Sequence, residues 1–204
     1  METHRYFLVH KPRGMVSQFV SSHKVELLGD LNFDFPKGTH AIGRLDAHSE
    51  GLLLCTTDKS VTRRLFQGEM PHQRTYLVMV KWLVPSEKLE QWASGVAISA
   101  KGGSTYFTQP CKASLFDLSD ACTFHPGLIQ LPEYGSYTWI SLTLTEGKYH
   151  QVRKMVDVLG HKCIRLIRTN IEGLHLGKML PGEVCEIEAD AFMEKLKLTG
   201  KRIG

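Results

Sequence analysis

The sequence predicts an α+β fold in which strands outnumber helices. Short runs of β-branched and aromatic residues recur between glycine- and proline-marked turns, only a few segments carry helical spacing, and many neighbouring strands are close enough in sequence to pair antiparallel. Residues 5–10 read as a strand that stops at Lys11-Pro12-Arg13-Gly14, where Pro12 removes an amide hydrogen and Gly14 permits a turn. Leu52, Leu53, Leu54 and Cys55 read as a buried strand. Asp58 is placed to cap a helix through Phe66, with Val61 and Leu65 facing inward. Residues 75–82 are apolar on both faces, the mark of a central strand. Ser86 is expected to cap a helix to Ser94, which Gly95 stops. Residues 105–107, 112–116 and 137–145 read as further strands. The stretch 120–135, with Pro126, Gly127, Pro132 and Gly135, reads as a long loop. In the clearest helix, Tyr149, Val152, Met155, Val156 and Leu159 recur at i, i+3, i+4 spacing, and Gly160 ends it. Strands over 163–168 and 183–188 and an amphipathic helix over 190–198 complete the chain.

A chain of 204 residues forms one large domain or two small subdomains sharing a core. With 42% hydrophobic and 23% charged residues it falls in the ordinary globular class. No apolar run approaches the ~18 residues that span a bilayer, and the first residues lack a signal-peptide core. The five cysteines (Cys55, Cys111, Cys122, Cys163, Cys185) are odd in number and widely spaced. That pattern suits a reducing compartment and gives neither a disulfide framework nor a CxxC zinc module, so a cytoplasmic protein is expected. The net charge of +4 is unevenly spread. Lys148, Arg153, Lys154, Lys162, Arg165 and Arg168 face only Asp157 within residues 148–168, a segment of charge +5, so the rest of the chain sums to −1. Such a run is either a solvated helix face or a footprint for phosphates.

The most informative stretch runs from Gly43-Arg44-Leu45-Asp46 through Ala47-His48-Ser49-Glu50-Gly51 to Leu52-Leu53-Leu54. A polar loop holding Asp46 sits directly before a buried strand, a common place for a catalytic group on a rigid scaffold. The bland reading is a turn aspartate bonded to its own backbone. Residues 47–51 also come one residue short of the G-x-S-x-G elbow of serine hydrolases, which would make Ser49 a nucleophile. That elbow needs a strand before the serine and a helix after it, and here the order is inverted. The ten histidines form no HExxH or closely paired ligand set, and no phosphate-cradling glycine loop is present, so neither metal nor cofactor is expected.

Every fixed position of residues 43–54 resembles the G-R-L-D-x-x-[ST]-x-G-L-L-L signature of RNA pseudouridine synthases. Arg74-Thr75-Tyr76-Leu77-Val78 resembles the family's basic-x-Tyr strand. Residues 146–155, Glu-Gly-Lys-Tyr-His-Gln-Val-Arg-Lys-Met, resemble its E-G-[KR]-x-x-Q-[VI]-R-[RK]-M helix start, and Lys11-Pro12-Arg13-Gly14 fits its K-P-x-G turn. The resemblance covers residues 6–188, and it is strongest to the branch of ribosomal-RNA enzymes without an N-terminal S4 RNA-binding domain. It implies a single catalytic domain over 1–204: a mixed, mainly antiparallel central sheet in two intimately joined subdomains, flanked by a few helices, with the active-site cleft across the sheet.

The resemblance implies that uridine is isomerised to pseudouridine in ribosomal RNA, expected to be 23S rRNA or a pre-ribosomal particle, by a monomer that uses no metal or cofactor and no membrane. Asp46 would be the catalytic carboxylate, attacking a sugar or base carbon or stabilising charge as the glycosidic bond breaks. Arg153 matches the basic residue that pairs with the aspartate, a role for which guanidinium geometry is suited. Tyr76 matches the tyrosine expected to stack on uracil, and Leu166 the apolar residue lining its other side. Arg44 either enters the RNA stack where the uridine leaves or braces its own loop. Lys148 and Lys154 crowd a helix start with Arg153, where the macrodipole disfavours cations by roughly 0.3–1 kcal/mol each. An anion-binding helix gains by that arrangement and a structural one does not. Lys162 and Arg165 lie on a turn and strand from which phosphates can be reached. A non-catalytic RNA-binding protein is the alternative, but binding alone requires none of Asp46, Tyr76 and Arg153.

Overall fold

A computed structural model describes residues 4–67 and 71–198. The chain forms two compact units, Met1–His72 with Arg168–Gly204, and Gln73–Ile167. Among the described residues no helix is long and apolar enough to cross a membrane.

In the first unit the strand order is β11 (Val184–Ile187), β1 (Tyr6–Lys11), β3 (Glu50–Thr56), then the part of β9 (Cys163–Ile171) from Arg168 onward. β1 lies antiparallel to both neighbours, with Tyr6 opposite Thr56 and Lys11 opposite Gly51. The short strands β2 (His40–Ala41) and β10 (Leu174–His175) pair antiparallel with β3 and β9. Every residue of β3 is buried, which accounts for a run without polar alternation. Asp58 accepts a hydrogen bond from Ser60 N at 2.9 Å and so caps α1 (Lys59–Gln67), as its position predicts. Between β1 and β2 the chain has one 3₁₀ turn, Leu28–Asp30. Edge-to-face packing of Phe7, Phe19, Phe33 and Phe35, with centroids 4.8–5.7 Å apart, holds that segment in place of a ladder. Helix α4 (Ala189–Lys195) buries Phe192, whose ring lies 4.7 Å from that of Tyr6.

The second unit orders its main strands as β9 up to Ile167, β4 (Arg74–Lys81), β8 (Tyr137–Leu144) and β7 (Lys112–Leu115). β4 is thus internal, as its two apolar faces predict, and it pairs antiparallel with β8 from Arg74–Leu144 to Lys81–Tyr137. β5 (Ala97–Ser99) and β6 (Thr105–Phe107) form a separate hairpin. Helices α2 (Ser86–Ser94) and α3 (Gln151–Val158) share one core cluster with β4 and β8 around Val78, Trp92, Ile140 and Met155. The buried Trp92 indole donates to the Met155 carbonyl at 2.7 Å, so α2 and α3 are tied by a bond as well as by packing.

Several boundaries differ from the sequence reading. Pro85, not Ser86, caps α2: its carbonyl accepts from Lys88 N at 3.1 Å, which starts the first turn one residue early. Helix α3 begins at Gln151 because His150 is in the left-handed region, with φ 53°. Tyr149 therefore lies outside the helix and is 74% exposed rather than part of the buried stripe. The strand expected over 163–168 continues to Ile171, and the long loop opens in a 3₁₀ segment, Leu118–Thr123. The helix expected over 190–198 ends at Lys195.

Candidate active site

Asp46 sits half-buried in a turn closed by a bond from Ser49 N to the Asp46 carbonyl at 2.9 Å. Both chain neighbours of Asp46 are pinned. Ser17 Oγ donates to the Leu45 carbonyl at 2.7 Å and accepts from Leu45 N at 3.0 Å. The Ala47 carbonyl accepts from Gly14 N at 2.7 Å and from Lys11 Nζ at 3.4 Å. Lys11 is fully buried, and its ammonium also donates to the carbonyls of Met15 (2.7 Å) and Pro12 (2.8 Å). Three donors thus meet three acceptors, and the K-P-x-G turn is fastened under the aspartate turn. Burial, helped by the charge of Arg168 and opposed by those of Glu50 and Asp46, leaves the Lys11 pKa lowered to about 8.

The fixed glycines of the signature have steric causes. Gly43 has φ +74°, and a Cβ there would lie 2.6 Å from Cζ of Phe66. Gly51 has φ +105°, and a Cβ would come 2.8 Å from the Arg168 amide nitrogen and nearer still to its carbonyl. No other residue type lets β3 and Arg168 approach so closely. Arg168 itself is buried and donates from Nε to the Leu52 carbonyl at 2.7 Å. It therefore holds the sheet, and the surface footprint of the basic segment is correspondingly smaller. Arg44 is exposed on the loop.

In the second unit, Tyr76 is half-buried on β4, opposite Leu142, and packs on the core cluster to which Leu166 belongs. Leu166 is 4% exposed. Arg153 is half-buried on α3, its Nη1 3.6 Å from Cys163 Sγ. The motif before α3 folds on itself. Gln151 Nε2 donates to Glu146 at 2.7 Å, Gln151 Oε1 accepts from Lys148 N at 2.9 Å, and Glu146 also accepts from Gln109 N at 2.9 Å. The spacing of Glu146 and Gln151 thus closes a turn that sets the start of the helix. Lys148 and Lys162 are exposed. Lys154 donates to the Ser99 carbonyl at 2.8 Å, and Arg165 to the Leu128 carbonyl at 2.7 Å.

Sequence reasoning missed Ser17 and the burial of Lys11. Nothing in the spacing connects Ser17 to Leu45, and only a lysine embedded in a short turn before a buried strand hinted at the second. The hydrolase reading fails on geometry: Ser49 is fully buried, a loop precedes it and strand β3 follows. Among the described residues, no three His, Cys, Asp or Glu side chains gather where they could hold a metal ion.

Residues 5–157 match the family model described as RNA pseudouridylate synthase. The ribosomal large subunit pseudouridine synthase B of Bacillus subtilis (strain 168) is 31% identical over 90% of this chain and 71% of its own length. The corresponding synthase E of Vibrio parahaemolyticus is 30% identical over 92% and 76%. The ribosomal small subunit pseudouridine synthase A of Escherichia coli (strain K12) is 29% identical over 88% and 68%. A crystal structure of a pseudouridylate synthase superimposes with a TM-score of 0.76 at 28% identity, covering 96% of this chain and 75% of the other. With the signature residues held as described and a family model matched over three quarters of its length, this chain belongs to the RNA pseudouridylate synthase family and is an isomerase.

Proposed function

We propose that this pseudouridine synthase modifies a uridine of ribosomal RNA, that of the large subunit, with Asp46 as its catalytic carboxylate. The observation that carries the proposal is the pinning of Asp46: a half-buried carboxylate whose neighbours on both sides are fixed by a buried serine and a buried lysine. A purely structural turn gains nothing from such precision, whereas a reacting group displaced by an ångström loses much of its rate. The reaction breaks the bond from uracil N1 to ribose C1′ and forms one from C5 to C1′, and a proton leaves C5 while N1 regains one. Composition and electron count are unchanged, so no co-substrate is consumed, and we assign the chemistry to side chains without a metal or cofactor.

Tyr76 supplies a ring for the uracil, Leu166 apolar surface for it, and Arg153 the basic side chain of the catalytic set. Arg44 acts on the RNA where the uridine leaves its stack, and Lys148, Lys154, Lys162 and Arg165 meet backbone phosphates. A uridine within structured RNA is extruded at a few kcal/mol, which favours loops and bulges as targets. The enzyme works as a monomer in the cytoplasm. The large-subunit assignment draws on the names of the B and E relatives, whereas synthase A is named for the small subunit. Mapping pseudouridines in the rRNA of a deletion strain decides it. Loss of one large-subunit pseudouridine, restored by the wild-type gene and not by Asp46→Asn, is expected. Loss from small-subunit rRNA alone contradicts the large-subunit reading.

A further inference from the structure

The turn before α3, the start of α3 and the β5–β6 hairpin line an open-sided cavity of about 740 Å³, formed by Ile98, Ser99, Ala100, Tyr106, Lys148, Tyr149 and Lys154. That volume falls within the ~300–1,000 Å³ of ligand pockets. Neither tyrosine has a part in the reaction described above. Tyr149 is 74% exposed, yet its ring is ordered against others: it stacks on His150 at 3.9 Å and 16°, and Lys154 Nζ lies 5.3 Å from its centroid. Across the cavity lining, Lys148 Nζ lies 4.5 Å over the Tyr106 ring. The Tyr106 hydroxyl donates to Glu146, the carboxylate already engaged by Gln109 N and Gln151 Nε2. Tyr106 is thereby fixed, and the acid beside the cavity is occupied by its own donors.

The lining selects its occupant by chemistry. A purely apolar ligand would leave the ammonium groups with only a ring face each and, for Lys154, the neutral Ser99 carbonyl as partners, and a free phosphate would leave two aromatic rings uncovered. One nucleotide of single-stranded RNA satisfies both, its base lying on a ring and its phosphate reaching the lysines. Exposed cation–π contacts are weaker than base stacking, so a base can displace an ammonium from a ring while an adjacent phosphate receives it. We infer that this cavity binds an unpaired nucleotide of the substrate RNA other than the target uridine, with its base on the exposed Tyr149 ring and its phosphate on Lys148 and Lys154. The inference rests on the proposed RNA-binding function and adds a base-binding site to its phosphate contacts.

The test is equilibrium binding of a fluorescein-labelled single-stranded RNA hexamer to the full chain, with a hexamer of abasic sugars as its partner probe. Tyr149→Ala is expected to raise the Kd of the base-bearing hexamer about tenfold, and Tyr149→Phe to leave it within about twofold. The abasic hexamer should bind wild type and Tyr149→Ala alike. Equal binding of the base-bearing hexamer by wild type and Tyr149→Ala, an equal loss in Tyr149→Phe, or no wild-type binding up to millimolar RNA each overturns the inference. If the expected pattern is found but the chain forms no pseudouridine in rRNA, the proposed ribosomal substrate fails and the pocket stands. If pseudouridine forms and Tyr149→Ala binds like wild type, the pocket fails alone.

Discussion

Ser17 and Lys11 never touch substrate in the assigned chemistry, yet they determine where Asp46 stands. Ser17 Oγ satisfies both the N–H and the carbonyl of Leu45, and it is buried. Ser17→Ala leaves two buried backbone groups without that partner, at about 1–3 kcal/mol for each one left unsatisfied. We expect a stability loss of roughly 2–6 kcal/mol by urea unfolding. Because Leu45 precedes the carboxylate, the single-turnover rate should also fall about tenfold or more, with RNA affinity little changed. A variant with the stability loss and an unaltered rate would show that Ser17 only braces the fold. Lys11 gives a pH dependence whose sign is fixed by its lowered pKa. The folded protein releases this proton near pH 8 and the unfolded chain near the ordinary 10.5. Between those values the unfolded chain holds the extra proton, so unfolding is opposed as pH rises and stability grows from pH 8 toward 10.5. The difference in unfolding free energy between wild type and Lys11→Met should move in favour of wild type by roughly 2–3 kcal/mol from pH 7.5 to 10. A pH-independent difference would mean that the three carbonyls hold the ammonium at its ordinary affinity.

At the scale of elements, two connecting segments are shaped by contacts that no sequence pattern announces. The loop following β7 carries the buried Leu128 and Ile129, and Arg165 on β9 donates to the Leu128 carbonyl while its guanidinium lies 5.8 Å from the Trp139 ring. Arg165 therefore has a structural task beside its proposed contact with phosphate. Arg165→Ala is expected to speed limited proteolysis within residues 117–136 several-fold and to flatten the log–log salt slope of RNA binding by about 0.7, whereas Lys162→Ala should change the slope alone. Unchanged proteolysis of the Arg165 variant would show that apolar packing suffices to hold the loop. The turn before α3 is the second case. There the left-handed His150 delays the helix and frees Tyr149 to face the cavity. Helical periodicity alone placed Tyr149 in the core, because i, i+3 spacing continues smoothly across a residue whose backbone interrupts the helix.

For the molecule as a whole, the alternation of patterns made the α+β class and most elements legible, since buried strands such as β3 and β4 carry their own apolar signal. The segment between β1 and β2 was silent: its three phenylalanines, at irregular spacing, pack edge-to-face with one another and with Phe7 of β1 by contacts that no periodicity announces. Short strands such as β2, β5 and β10 escaped as well, being too brief to show alternation. The candidate site was legible where chemistry sits in contiguous motifs, as around Asp46 and Arg153. It was not where long-range hydrogen bonds support them, as with Ser17 across 28 residues of chain. The central claim is that Asp46 carries the chemistry, and it is tested most directly by Asp46→Asn, which preserves shape and removes charge. Single-turnover assays on rRNA, read by pseudouridine-specific chemical mapping, should show product with the wild-type chain and none with Asp46→Asn, while the two bind the RNA with similar Kd. Near-normal turnover by Asp46→Asn would contradict the claim.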